Sequence, residues 1–311
     1  MNRTGGTAFV FAGGSSLGAI QVGMLKSLVR RGWTADFVVG ASVGAINAVY
    51  FARDPSRDGV ARLESIWRGL RRADVFPGSA LGSLMGLLSN KGYVVDPIAL
   101  RSLLERHLGT LRLEQTRIPC HIIATDLLEG VELRFASGPV IDLLLASAAI
   151  PGVFPPCRLD GRYVVDGGVA NHTPISAAID LGAARLVVLP TGYSCTLSDP
   201  PRRAIGVALH GLNILIARQL VNAIRQYREV VEILVVPPLC PLDASPYDFA
   251  RVGHLIERAE RSTDEWLDHG VEEVEGVPHQ LPPHTHYSQE RPYGPFSIRP
   301  RDAPAAREHA S

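Results

Sequence analysis

Short apolar runs alternate along the chain with longer stretches in which apolar residues return every three or four positions. Ala8 to Ala12, Phe37 to Val39, His121 to Ala124, Leu186 to Leu189 and Ile233 to Val236 have strand length. Unbroken apolar runs of that length fit strands covered on both faces. Leu17, Ile20, Met24 and Leu28 stand at helical spacing with Lys26 and Arg30 on the other side, which predicts a helix over Leu17 to Arg31 packed on the sheet. The alternation of the two kinds of segment predicts an α/β fold. Near Gly276 prolines, histidines and charges replace the periodic apolar residues. One domain is therefore expected over residues 5–270, with 271–311 a flexible Pro/His-rich tail.

Two further apolar segments carry less periodic information. Leu81, Leu84, Met85, Leu87 and Leu88 cluster between Asp74 and Val95, and Ile205 to Leu220 sets Leu209, Leu212, Ile216 and Leu220 on one stripe. Both read first as core-packing helices and second as borders of a lipid-accepting groove or a membrane-facing surface. No apolar run approaches the ~20 residues that span a bilayer. The longest candidate, Pro139 to Phe154, contains Asp142 and Pro151. Arg3 ahead of Ala8 to Ala12 imitates a signal peptide, but both parts are short and the segment is read as the first strand.

Composition narrows the function classes. The 31 basic and 31 acidic residues cancel, which leaves no overall field to attract nucleic acid or an anionic membrane from a distance. The basic pairs Arg30-Arg31, Arg71-Arg72 and Arg202-Arg203 lack the interleaved aromatics of a nucleic-acid platform. Cys120, Cys157, Cys195 and Cys240 lie tens of residues apart and read as ordinary thiols of a cytoplasmic protein. The histidines are scattered without metal-ligand spacing, so neither a metal nor another cofactor is expected.

The chemistry concentrates in three short blocks. Phe37-Val38-Val39 runs into Gly40-Ala41-Ser42-Val43-Gly44 and then a helix start, the strand, sharp turn and helix in which a nucleophile elbow exposes a serine. Gly14-Ser15-Ser16-Leu17-Gly18 also satisfies G-x-S-x-G, so pattern alone leaves Ser42 and Ser16 both open. The first loop is richer in glycine, with Gly13 and Gly14, and suits backbone N–H groups that face an anion. A dinucleotide fingerprint is the rival reading, but Ser15 occupies the position of its second glycine. The third block, Arg162 to Gly168, is a short strand that ends in Asp166-Gly167-Gly168. A carboxylate in reach of a serine hydroxyl can take its proton directly, which makes Asp166 the leading base. His172, close behind, reads as a polar residue near the start of a helix over Pro174 to Leu181.

The glycine loop, the elbow and the Asp-Gly-Gly turn, in this order and joined by Ala146-Ser147-Ala148-Ala149-Ile150-Pro151-Gly152-Val153-Phe154-Pro155-Pro156, resemble the patatin-like phospholipase family from about residue 8 to 190. The resemblance implies a three-layer α/β/α fold with a central, largely parallel sheet. It implies a Ser42–Asp166 dyad without a third member, an oxyanion hole from the N–H groups of Gly13, Gly14 and Ser15, and supporting turns at Gly18, Gly40, Gly44, Gly167 and Gly168. The implied partner is a lipid or acyl-ester substrate, and the apolar clusters at Leu81 to Leu88 and Ile205 to Leu220 add an expectation of reversible contact with a membrane surface. Two positions depart from the family pattern. Ser15 replaces a glycine and resists a positive φ, and Leu17 stands where many members carry Arg or Lys, which bears against phospholipid more than against ester chemistry. A carboxylesterase or thioesterase of small acyl groups and a non-catalytic lipid-binding protein are the alternatives.

Overall fold

The computed structural model describes residues 5–77, 92–192, 204–242, 244–270 and 281. The chain runs through β1 (Thr7–Phe11), α1 (Gly18–Arg30), β2 (Phe37–Ala41), α2 (Val43–Arg53), α3 (Arg57–Gly69) and α4 (Arg72–Val75). It continues with α5 (Ile98–Leu108), β3 (Cys120–Asp126), β4 (Glu132–Phe135), α6 (Val140–Ser147), β5 (Cys157–Leu159) and β6 (Arg162–Asp166). The remaining elements are α7 (Gly168–Asn171), α8 (Ile175–Asp180), β7 (Arg185–Leu189), α9 (Ala204–Tyr227), β8 (Glu232–Val235) and α10 (Val252–Asp268). Every expected strand is present within a residue or two of its predicted ends. The helix predicted from the Leu17 stripe is α1.

The strands form one sheet in which β1 is central, flanked in parallel by β2 and β7, with β3 parallel to β2 and β8 parallel to β7. Alternation along β1 separates two cores, as the period of a strand requires. Phe9 and Phe11 face a large cluster with α1, α2, α3 and α10, while Ala8 and Val10 face a second cluster with α8 and α9. This is the three-layer α/β/α arrangement. The apolar cluster expected between Leu81 and Leu88 lies outside the described residues. So does the expected tail except for Leu281, which is buried in the second cluster.

One strand decides the geometry of the site. Ile122 of β3 pairs with Gly40 of β2 and with Phe135 of β4, so β2 and β4 occupy opposite edges of β3. Ala124 pairs with Leu133 of β4 and with Asp166 of β6, which puts β6 on the same edge as β2. β2 runs parallel to β3 and stops at Ala41 opposite Ile123, while β6 runs antiparallel and stops at Asp166 opposite Ala124. The two strands therefore meet end to end on one edge. Their C-terminal residues are brought together although far apart in sequence.

Candidate active site

Ser42 follows β2 with φ 56° and ψ −129°, and α2 starts on the next residue. A side-chain-bearing residue held at positive φ stores of order 1–3 kcal/mol. The surroundings impose it. A Cβ added at Gly44 would lie 2.4 Å from the Phe11 carbonyl oxygen and 2.5 Å from that of Ala12, so only glycine lets the end of β1 pass this close to the elbow. The Ser42 hydroxyl donates to Asp166 Oδ2 at 2.6 Å, and Oδ1 of the same carboxylate accepts the Gly168 N–H at 2.7 Å. Both residues are buried. Burial raises the Asp166 pKa from 3.8 to about 6 against the opposing hydrogen bonds from Ser42 and Gly168. Asp166 is thus an anion near neutral pH yet a much better proton acceptor than an exposed aspartate.

The glycine loop lies against this pair, since a Cβ on Gly13 would stand 3.2 Å from Ser42 Cβ. It is held from several sides. Gln21 Nε2 donates to the Ala12 carbonyl at 2.8 Å, Thr191 Oγ1 donates to the Gly13 carbonyl at 2.6 Å, and Asn47 Nδ2 donates to the Gly18 carbonyl at 3.0 Å. Gly14 has φ 146°, a conformation reserved for glycine, and a Cβ there would meet Thr191 Oγ1 at 2.4 Å. Ser15 does adopt a positive φ, 52°, despite its side chain, at a cost of about 1–2 kcal/mol. The Gly13 N–H donates to the His172 carbonyl at 3.0 Å. The one proton of that N–H therefore already has an acceptor within the protein, whereas the Gly14 and Ser15 N–H groups are the other two expected donors.

Ser16, the other elbow serine, is fully buried, and its hydroxyl donates to the Ser245 carbonyl at 3.2 Å while its N–H donates to the Pro246 carbonyl at 3.0 Å. It belongs to the scaffold of the loop. Of the expected supports, a Cβ on Gly168 would stand 2.9 Å from Asp166 Oδ1, one on Gly167 2.2 Å from the Ile123 carbonyl oxygen, one on Gly40 2.5 Å from the Gly44 carbonyl oxygen and one on Gly18 2.7 Å from Val43 Cγ2. His172 packs against the loop from the other side, its ring 2.7 Å from a Cβ built on Gly13. Burial pushes its pKa down to about 4, against a hydrogen bond with the Gly13 backbone, so the imidazole is neutral at physiological pH. Residues that sequence reasoning missed are Thr191, Ser147 and Tyr247. The Tyr247 phenol is pushed up, mainly by burial and further by the Asp166 charge. Thr191 and Tyr247 sit in no recognisable pattern, and Ser147 lies inside the Ala146 to Pro156 run without that run marking its hydroxyl, since each acts through tertiary contact.

Two cavities meet at Ser15 and Ser42. The first is an open pocket of about 690 Å³, its space continuous with solvent, and is almost wholly apolar, with Ile46, Leu63, Trp67, Phe76, Leu104 and Phe154 among its walls. The second, likewise open to solvent, has about 560 Å³ and is lined by Asp166, Pro151, Val169, Leu212, Ile216 and Tyr247. The α9 stripe divides between the two readings given to it. Leu220, Val221 and Ile224 are core, whereas Val207, Leu212 and Leu215 are 52%, 39% and 61% exposed. Among the described residues no helix is long and apolar enough to cross a membrane.

A family model described as patatin-like phospholipase matches residues 9–179, just over half of the chain. An uncharacterized NTE family protein of Mycobacterium tuberculosis is 29% identical over 179 residues, covering 57% of this chain and 46% of that protein. Patatin-like phospholipase domain-containing protein 7 of Mus musculus is 24% identical over 191 residues, covering 60% of this chain and 13% of its own. Lysophospholipase NTE1 of Mycosarcoma maydis is 24% identical over 217 residues, 67% of this chain and 11% of that protein. Each match spans less than half the length of the relative. The crystal structure of VipD from Legionella pneumophila aligns over 85% of this chain and 66% of that one, with a TM-score of 0.48 and 15% identity.

Proposed function

Because the chain belongs to the patatin-like phospholipase family, we propose that it is a serine acyl hydrolase of lipid esters, with residues 5–270 as the hydrolase domain. The observation that carries this reading is the 2.6 Å hydrogen bond from Ser42 to Asp166 at the junction of two cavities. Ser42 Oγ attacks the ester carbonyl as its proton passes to Asp166, and the carbonyl electron pair becomes an oxyanion held by the Gly14 and Ser15 N–H groups. Collapse expels the alcohol, which takes the proton from Asp166 and leaves an acyl-Ser42. Asp166 then draws a proton from water, the hydroxide attacks the acyl carbon, and the fatty acid leaves as Ser42 regains its hydrogen. The apolar cavity takes the acyl chain and the cavity with Asp166 and Tyr247 takes the leaving group. No step needs a metal or cofactor.

The apolar cavity favours long acyl chains over the small groups of a carboxylesterase or thioesterase, and a lysophospholipase among the relatives puts monoacyl lipids first for testing. The exposed Val207, Leu212 and Leu215 adjoin the leaving-group cavity through Leu212, which supports brief contact with a lipid surface. Labelling by a fluorophosphonate with peptide mass spectrometry, beside turnover of monoacyl esters of increasing chain length, tests the reading. Label on Ser42, its loss in Ser42→Ala and its persistence in Ser16→Ala are expected, because Ser16→Ala leaves every loop N–H in place. Label on Ser16, or turnover retained in Ser42→Ala, overturns it. A protein that takes no label and turns over nothing is a lipid binder instead.

A further inference from the structure

Ser147 is the last residue of α6 and is completely buried. A serine inside a helix ordinarily turns its hydroxyl to the carbonyl four residues back. Here the hydroxyl points elsewhere: it donates to the Ile123 carbonyl at 2.6 Å and accepts the Ser42 N–H at 2.9 Å. The backbone carbonyl of Ser147 accepts the Gly167 N–H at 3.1 Å, and two residues on, the Ala149 carbonyl accepts the Asp166 N–H at 3.0 Å. The end of α6 therefore grips the peptide of the serine with a side chain and the peptides of the Asp-Gly turn with its backbone. It does so where β2 and β6 abut on β3, a junction at which no ladder bond runs directly from one strand to the other.

We propose that Ser147 is the positioning residue of the dyad, its hydroxyl setting the plane of the Ser42 peptide so that Oγ stays in line with the Asp166 carboxylate. This rests on the assignment of Ser42 and Asp166 above. The Ser42 N–H is part of the peptide whose orientation defines the unfavourable φ of the elbow, so a partner on that N–H opposes relaxation of the turn. A hydroxyl suits the place because it accepts from one group while it donates to another. A thiol of similar shape does both poorly, and a methyl does neither.

The test compares Ser147→Ala and Ser147→Cys with the wild-type protein, using steady-state turnover of a monoacyl ester across pH and thermal unfolding as a control. Loss of alignment should lower kcat by roughly 10- to 100-fold in Ser147→Ala with KM within about threefold, as for a displaced reacting group. Ser147→Cys fills the space, so it separates packing from hydrogen bonding even if the alanine variant folds badly; it should lie closer to Ser147→Ala than to wild type. The acid limb of the kcat profile should also move to higher pH in both variants. The Ser42 hydrogen bond helps hold the Asp166 pKa down, and the other groups facing that carboxylate, the Gly168 N–H, the Tyr247 phenol and the His172 imidazole, are uncharged near pH 6. Wild-type kcat in Ser147→Cys, or an acid limb that stays in place, overturns the proposal. Failure of wild-type protein to label on Ser42 overturns the dyad itself and is seen separately.

Discussion

Asp166→Asn should remove activity and raise stability at neutral pH. The carboxyl is buried, and its pKa of about 6 in the folded protein lies above the ordinary 3.8 it regains on unfolding. Between those values the folded state keeps a proton that the unfolded state has released, so stability falls as pH rises and the loss is complete above about 6. At about 1.4 kcal/mol per pH unit, ionising Asp166 in place costs the wild-type protein about 3 kcal/mol at pH 7.5 and about 1 kcal/mol at pH 4.5. Asparagine keeps an acceptor for the Gly168 N–H and an amide donor for the Ser42 oxygen without any charge to desolvate. Urea unfolding followed by tryptophan fluorescence at the two pH values is the assay, and the variant minus wild-type difference cancels every other titrating group. That difference should be larger at pH 7.5 than at pH 4.5 by about 2 kcal/mol, while ester turnover falls by 10²-fold or more for want of a proton acceptor, to within about that order. A difference that does not depend on pH, or a variant less stable than wild type at pH 7.5, would refute the picture of a buried carboxylate held ionised for its chemistry.

Three other outcomes follow from the structure. His172→Ala should keep activity within about tenfold, since the proposed mechanism passes the proton to Asp166 rather than to imidazole. His172 is neutral in the fold and its pKa is depressed to about 4, so the stability it contributes above pH 6.5 is lost as pH falls; wild-type protein should weaken from pH 6.5 to 4 more than His172→Ala does in the same urea assay. Binding to lipid vesicles should be weak and nearly independent of salt, because the exposed Val207, Leu212 and Leu215 and the zero net charge leave apolar burial as its source. Steep loss of vesicle binding with added salt, in a sedimentation assay, counts against that surface.

Strands β1, β2, β3, β7 and β8 and helix α1 were legible along the chain because their signal is local: apolar runs for strands buried on both faces, a stripe for a helix covered on one. The chemistry-bearing residues were legible for a related reason, as sharp turns demand glycine beside a serine or an aspartate. What no local pattern contains is the partner of each turn. Ser42 and Asp166 meet only because β2 and β6 share an edge of β3 from opposite directions, a matter of strand order and register set by long-range pairing. The same holds for Ser16, which matches the elbow pattern yet turns its hydroxyl to Ser245, and for Gly13, whose N–H is taken by the His172 carbonyl. Ser147 lies in the Ala146 to Pro156 run, which does not mark its hydroxyl, and gains its contacts because α6 ends where the two strands abut. Sequence determined which residues could do chemistry, since that depends on side-chain type and backbone freedom; tertiary structure decided which of them come together, since a hydrogen bond requires two groups within about 3 Å and only the folded sheet brings them there.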